Sequence, residues 1–112
     1  MSKRVESVYL LDMLTYARRV LERVGERTHD ELQNDDGRRE SVAFNLMVIG
    51  EAAAQVSEAT RSAYADIPWK KIVGMRNRLI HGYERIDFDK VWDAVTNGIP
   101  QLIAALEQKP PR

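Results

Sequence analysis

Leu10, Leu14, Ala17, Leu21 and Val24 recur at spacings of four, three, four and three, the stripe of a helix buried along one side. The pattern predicts a first helix over residues 5–27, with Arg18, Arg19, Glu22, Arg23 and Glu26 on much of the remaining circumference. The stretch THDELQNDDG at 28–37 interrupts it; Asn, Asp and Gly favour turns and helix starts over helix interiors. A second stripe, Val42, Leu46, Ile49, Ala53 and Val56, predicts a helix from about Arg38 to Glu58. Phe44, Met47, Val48 and the alanines at 52–54 thicken that stripe. This helix is therefore apolar over more than one face, and is either the centre of the fold or a surface that meets a partner chain as well.

A third helix begins around ADIPWKK at 65–71, where Pro68 is tolerated because the first turn leaves its N–H position unpaired in any case. Ile72, Met75 and Leu79 form its inner stripe, and Gly82 is placed to stop it in the left-handed conformation that ends many helices. Asp87 caps a fourth helix, with Ile86 and Val91 spaced as a hydrophobic staple and Phe88, Val91, Trp92 and Val95 facing inward. NGIP at 97–100 breaks or kinks it, leaving Gln101–Glu107 as a short final piece. Four helical stripes, short connections and no β-type alternation predict an all-α fold. Its expected form is a compact antiparallel four-helix bundle with a short extra C-terminal helix.

The length of 112 residues suits a single domain over residues 1–112, and 44% hydrophobic with 30% charged residues is the balance of a soluble globular protein. With no cysteine, the chain offers no disulfide, thiolate nucleophile or cysteine-rich zinc site. The N-terminal stretch MSKRVESVYLLDML is too charged, and its apolar run too short, for a signal peptide or membrane span, so a cytoplasmic protein is expected. Net charge is zero, yet from Trp69 to Arg85 five basic side chains (Lys70, Lys71, Arg76, Arg78, Arg85) face one acid, Glu84. An anionic partner is therefore expected there, with Lys70, Lys71 and Arg78 as its contacts.

That segment also holds the candidate chemistry. Asn77 and His81, four apart, share a helix face, while Arg76 lies about 140° around from His81 and flanks it. Arginine binds phosphate bidentately and keeps a fixed charge, and histidine near neutrality can take or return a proton. RNA carries its own nucleophile, the ribose 2′-hydroxyl, so strand scission needs a base, an acid and a charge stabiliser, but no metal and no protein nucleophile. One chain offers a single credible histidine; a two-fold dimer brings two. A lone histidine without inward-facing carboxylates is a poor metal site, and no Gly-rich phosphate loop is present, so neither metal nor cofactor is expected. The alternative is structural: His81 ends a helix, and Arg76 and Arg78 are solvated. Spacing leaves both readings open. His29 has no evident companions and reads as a surface residue. Trp69, Trp92, Tyr9, Tyr16 and Tyr64 read as packing residues, and Glu51 as either paired with an arginine or exposed.

At these residues the chain resembles the HEPN superfamily, and within it the HepT-like toxins, whose motif is Arg-x4-His-x-Tyr. Arg76, His81 and Tyr83 fit it without a gap, and Asn77 occupies the polar position after the arginine. IGEAA at 49–53, IPWKKIVGMRNRLIHGY at 67–83 and the ID…VW pattern at 86–92 extend the likeness. The resemblance implies a homodimeric HEPN-like bundle with ribonuclease activity, acting as the toxin of a type VII toxin–antitoxin pair. The partner it implies is a small nucleotidyltransferase antitoxin of the MntA type, which transfers AMP from ATP to the motif tyrosine. Arg76 and His81 would then be the catalytic pair, Asn77 a supporting residue and Tyr83, taken as an exposed phenol, the modified one. A non-catalytic helical adaptor for a nucleotidyltransferase is the alternative.

Overall fold

The computed structural model describes residues 3–111. Four long helical segments form the body. They are α1 (Lys3–Val24), α3 (Asp36–Ala54), α5 (Trp69–Gly82) and a composite last segment of α6 (Phe88–Asp93), a π-helical turn (Ala94–Gly98) and α7 (Ile99–Gln108). Two short helices, α2 (His29–Gln33) and α4 (Glu58–Ala63), fill the two longer connections. The all-α bundle expected from the four stripes is the observed fold. α3 is its centre, packed against both α1 and α5, and α1 also meets α7. No helix among the described residues is long and apolar enough to cross a membrane.

The ends of the elements differ from the stripe-based expectation for local reasons. α1 stops at Val24, three residues early, because Gly25 takes the left-handed conformation (φ 57°) and its N–H closes onto Leu21 O at 2.8 Å. The expected left-handed glycine at 82 is not one: Gly82 has φ −169°, extended backbone, and the chain runs on into a 3-10 turn, Tyr83–Arg85. α2 occupies what reads as a plain polar connection. Thr28 and Glu31 form a capping box, Glu31 N–H to Thr28 Oγ1 at 3.2 Å and Thr28 N–H to Glu31 Oε1 at 3.1 Å, and Leu32 is fully buried. The expected helix over 38–58 starts at Asp36, capped by Asp35, and ends at Ala54. Glu58 belongs to α4, whose cap Ser57 gives its N–H (2.7 Å) and Oγ (2.9 Å) to the Glu6 carboxylate of α1. The NGIP sequence does not break the last segment. In the π turn Ile99 N–H reaches Ala94 O, five residues back, and Val95, Ile99, Leu102 and Leu106 stay in one buried row.

His29 is not the solitary surface residue expected. Its Nδ1 meets Asp30 at 2.9 Å and its Nε2 meets Asp89 at 2.6 Å, and its ring stands edge-on to Phe88 and Trp92. It ties α2 to α6, and the hydrogen bond to Asp30 first, then that to Asp89, holds its pKa above the ordinary 6.5. Trp69, Trp92, Tyr9, Tyr16 and Tyr64 pack against the core as expected. Trp69 Nε1 donates to Tyr64 O at 3.0 Å, and the Arg19 guanidinium lies 4.5 Å from the Tyr16 ring centre.

At the α3–α5 crossing Gly50 leaves no room for a side chain. A Cβ built on Gly50 would lie 2.2 Å from Arg76 Cβ and 3.2 Å from Ile72 O. Gly50→Ala should therefore lower unfolding free energy by about 1–3 kcal/mol, the cost of forcing a methyl into a filled space, as read by urea denaturation. The His29 tie adds a pH signature. A raised folded-state pKa gives stability that is fully present below about 6.5 and is lost as pH climbs through the folded value. The melting temperature of the wild type should fall over that rise, and His29→Asn should flatten the fall.

Candidate active site

Pro68 cannot extend a helix backwards, so α5 starts at Trp69, whose N–H bonds Ile67 O at 2.9 Å, while Ile72 N–H returns to Pro68 O at 3.1 Å. Met75 and Leu79 are buried, which turns Arg76 toward α3. The Arg76 guanidinium forms an ion pair with Glu51 of α3, and its Nη1 donates to Asn77 Oδ1 at 2.7 Å. Nε of Arg76 is buried with no hydrogen-bond partner among the described residues. Arg76 thus has a fixed position and one donor unused. Glu51 is both exposed and partnered by an arginine, joining the two alternatives read from its position.

His81 is exposed and makes no hydrogen bond or ion pair within the described residues. At about 100° per residue, Lys70, Asn77 and His81 fall within roughly 40° of one another on the outward face of α5. Asn77 is the link across this arrangement, since it shares the outward strip with His81 while accepting from Arg76. Within one chain the structure brings Arg76, Asn77 and Glu51 together and leaves His81 to one side.

Tyr83 is half-buried, not the exposed phenol expected, and packs against the core. Its Oη accepts a hydrogen bond from Arg39 Nε at 3.2 Å. Arg39 is anchored at its other nitrogens, Nη1 to Gln33 O at 2.8 Å and Nη2 to Asp36 at 3.2 Å. The bond to Tyr83 is the main cause that holds its guanidinium even more firmly protonated than usual. The two residues line a groove of about 560 Å³ between the start of α3, the end of α5 and α6.

Lys70, Lys71 and Arg78 are all exposed and share one wall of a second, larger groove of about 870 Å³ with Leu46 and Ile49 at its floor. The facing wall carries Asp87, Asp89 and Asp93 along with Lys90. This groove is zwitterionic rather than basic, and Arg76 and His81 are not among its lining residues. The local excess of positive charge along residues 69–85 is therefore offset across the groove by α6.

Residues 13–108 match the family described as Ribonuclease HepT-like. The chain belongs to the HepT-like family. Its relatives include "Putative RNase MJ1380" of Methanocaldococcus jannaschii, 35% identical over 107 residues, which cover 96% of this chain and 98% of that protein. "Putative RNase MJ0127" of the same organism is 32% identical, covering 96% of this chain and 89% of that one. "Probable ribonuclease HepT" of Thermococcus cleftensis is 28% identical, over 95% and 96% respectively. No solved structure matches the chain. The likeness runs along residues 13–108 and not only through residues 76–83.

Two residues of this neighbourhood carried little signal in the sequence. Glu51 is marked only by being a charge inside an alanine-rich apolar stripe. Arg39 has no local mark, because its partner Tyr83 is 44 positions away. The Glu51–Arg76 pair is open to water on the Glu51 side, which is 51% exposed, so its contribution is that of a surface ion pair. Glu51→Gln should change unfolding free energy in urea by less than about 1 kcal/mol, which makes it a clean probe of Arg76 placement without loss of fold.

Proposed function

We propose that this HepT-like chain is a metal-independent endoribonuclease that acts as a homodimer and serves as the toxin of a toxin–antitoxin pair. In this reading it is silenced when a MntA-type nucleotidyltransferase antitoxin adenylylates Tyr83. The observation that carries the reading is an unengaged histidine, His81, on the same helix as an arginine held in place by Glu51 and Asn77. A phosphoryl-transfer site needs those parts: a fixed cation for developing charge and a free imidazole for protons. His81 takes the proton of a ribose 2′-hydroxyl, whose oxygen attacks the adjacent phosphorus. The bond to the 5′-oxygen breaks, and that oxygen takes a proton from a second imidazolium, leaving a 2′,3′-cyclic phosphate and a 5′-hydroxyl. Arg76 stabilises the charge on the five-coordinate phosphorus through its guanidinium, with Asn77 keeping it aimed. Lys70, on the strip of Asn77 and His81, and Lys71 and Arg78 beside it, hold flanking phosphates.

The second imidazole comes from a second copy of the chain. Phe44 on α3 and Ile80 on α5 are 57% and 47% exposed and lie on the same helix faces as Glu51 and Arg76. An apolar surface of that kind beside an incomplete acid–base set supports a dimer whose groove is built from both chains. The adaptor reading takes the same Glu51–Arg76 pair the other way, as a guanidinium whose charge is already answered within the chain.

The purified chain should cleave RNA in EDTA and leave 2′,3′-cyclic phosphate ends. His81→Ala should slow cleavage by about 100-fold or more, the usual worth of a general acid–base group, with the melting temperature unchanged. Wild-type rates in His81→Ala would remove the catalytic assignment. A wild-type chain that binds the nucleotidyltransferase yet leaves RNA intact would establish the adaptor instead.

A further inference from the structure

Among the described residues Tyr83 is the tyrosine whose hydroxyl has a hydrogen-bond partner, and that partner is built into place. Arg39 sits in the first turns of α3, with Nη1 bonded to the Gln33 carbonyl at the end of α2 (2.8 Å) and Nη2 paired with Asp36 (3.2 Å). Nε is left pointing at Tyr83 Oη, 3.2 Å away. The groove beside them, about 560 Å³, has an apolar floor that includes Met47, Leu79 and Phe88, and Glu40 and Glu84 are among its polar lining. Its size lies inside the range of roughly 300–1,000 Å³ typical of small-ligand sites. An apolar floor with one cation at one end fits a flat heterocycle joined to a single phosphate. The carboxylates of Glu40 and Glu84 set against one guanidinium disfavour a di- or triphosphate chain.

We propose that this groove seats the nucleoside monophosphate that Tyr83 carries once modified, with Arg39 holding its phosphate. The proposal rests on the reading that Tyr83 is the adenylylated residue. In that step Tyr83 Oη attacks the α-phosphorus of ATP. The Oη–P bond forms, the bond from that phosphorus to the bridging oxygen breaks, pyrophosphate leaves and the phenolic proton passes to solvent. The product is a phosphodiester with one negative charge, and its non-bridging oxygens lie two bonds beyond Oη. Arg39 Nε then passes from a neutral phenol oxygen to a charged phosphate oxygen, a stronger hydrogen bond at the same place. The purine lies against Met47, a soft and partly exposed thioether suited to a flat ring, with the buried Phe88 behind it. The modification is thereby packed against the protein, and hydrolytic enzymes meet it partly covered.

The test treats wild type, Arg39→Gln, Arg39→Lys and Met47→Trp with ATP and the nucleotidyltransferase, and follows intact mass. A wild-type chain with no mass gain overturns both the Tyr83 reading and the seat. With the gain present, each modified protein is exposed to a phosphodiesterase and release of AMP is timed. AMP should leave Arg39→Gln about tenfold faster than wild type or more, in line with the loss of a charge-assisted hydrogen bond. Arg39→Lys should be intermediate, and Met47→Trp, which fills the floor but leaves the Arg39 anchors alone, should also release faster. Modification should raise the melting temperature of wild type and not that of Arg39→Gln, a difference that a merely structural Arg39 would not produce. Equal release from all four proteins overturns the seat and leaves the Tyr83 reading intact. Should Arg39→Gln fail to fold, the comparison of Met47→Trp with wild type decides it.

Discussion

Two helices can cross closely only where one of them offers no side chain, and in this bundle that place is Gly50. Its missing Cβ is the space taken by the Arg76 side chain and approached by the Ile72 carbonyl. The crossing sets more than the distance between α3 and α5. The next residue after Gly50 is Glu51, so this contact delivers a carboxylate to the guanidinium of Arg76. Packing and electrostatics are coupled at one point, and the aim of the arginine follows from the backbone contact.

Around that crossing the fold uses polar ties to hold what the apolar stripes alone leave loose. Glu6 caps α4 through Ser57 and Thr60, and those hydrogen bonds, led by Thr60, hold its carboxyl below the ordinary carboxylate value. His29 joins α2 to α6 through two carboxylates, and Arg39 joins α2, α3 and Tyr83. Three of these bonds, Glu6 to Ser57, His29 to Asp89 and Arg39 to Tyr83, run between elements far apart in the chain. The π turn at 94–98 plays the same part for the last segment. A helix that must pass Gly98 and Pro100 keeps its buried row by widening for one turn instead of bending away.

The electrostatic consequence is a division of labour between faces. α5 turns Arg76 inward to Glu51, keeps Asn77 and His81 outward, and gives Lys71 and Arg78 to a groove that Asp87, Asp89 and Asp93 partly neutralise. Five basic residues close together in sequence do not make one positive patch. They divide among surfaces because a helix turns about 100° per residue and its neighbours have charges of their own.

The helices and their buried rows were legible in the chain, because 3.6-residue periodicity is a local property and each stripe carries its own signal. So was the motif from Arg76 to Tyr83, which lies on one helix and its exit. The short α2 was not legible in the same way: its polar composition reads as a turn, and that reading passes over the capping box of Thr28 and Glu31 that starts it. The helix stop was misplaced for a related reason: two glycines near helix ends look alike in sequence, and only the path of the following chain assigns the left-handed conformation to Gly25 and not Gly82. What the chain does not spell out are the pairings across it. Nothing near Tyr83 points to Arg39, nothing near His29 to Asp89, and nothing in the apolar run around Gly50 to the stem of Arg76. Those contacts exist because the bundle closes, and the direction of a side chain across a closed bundle depends on the packing of every helix at once.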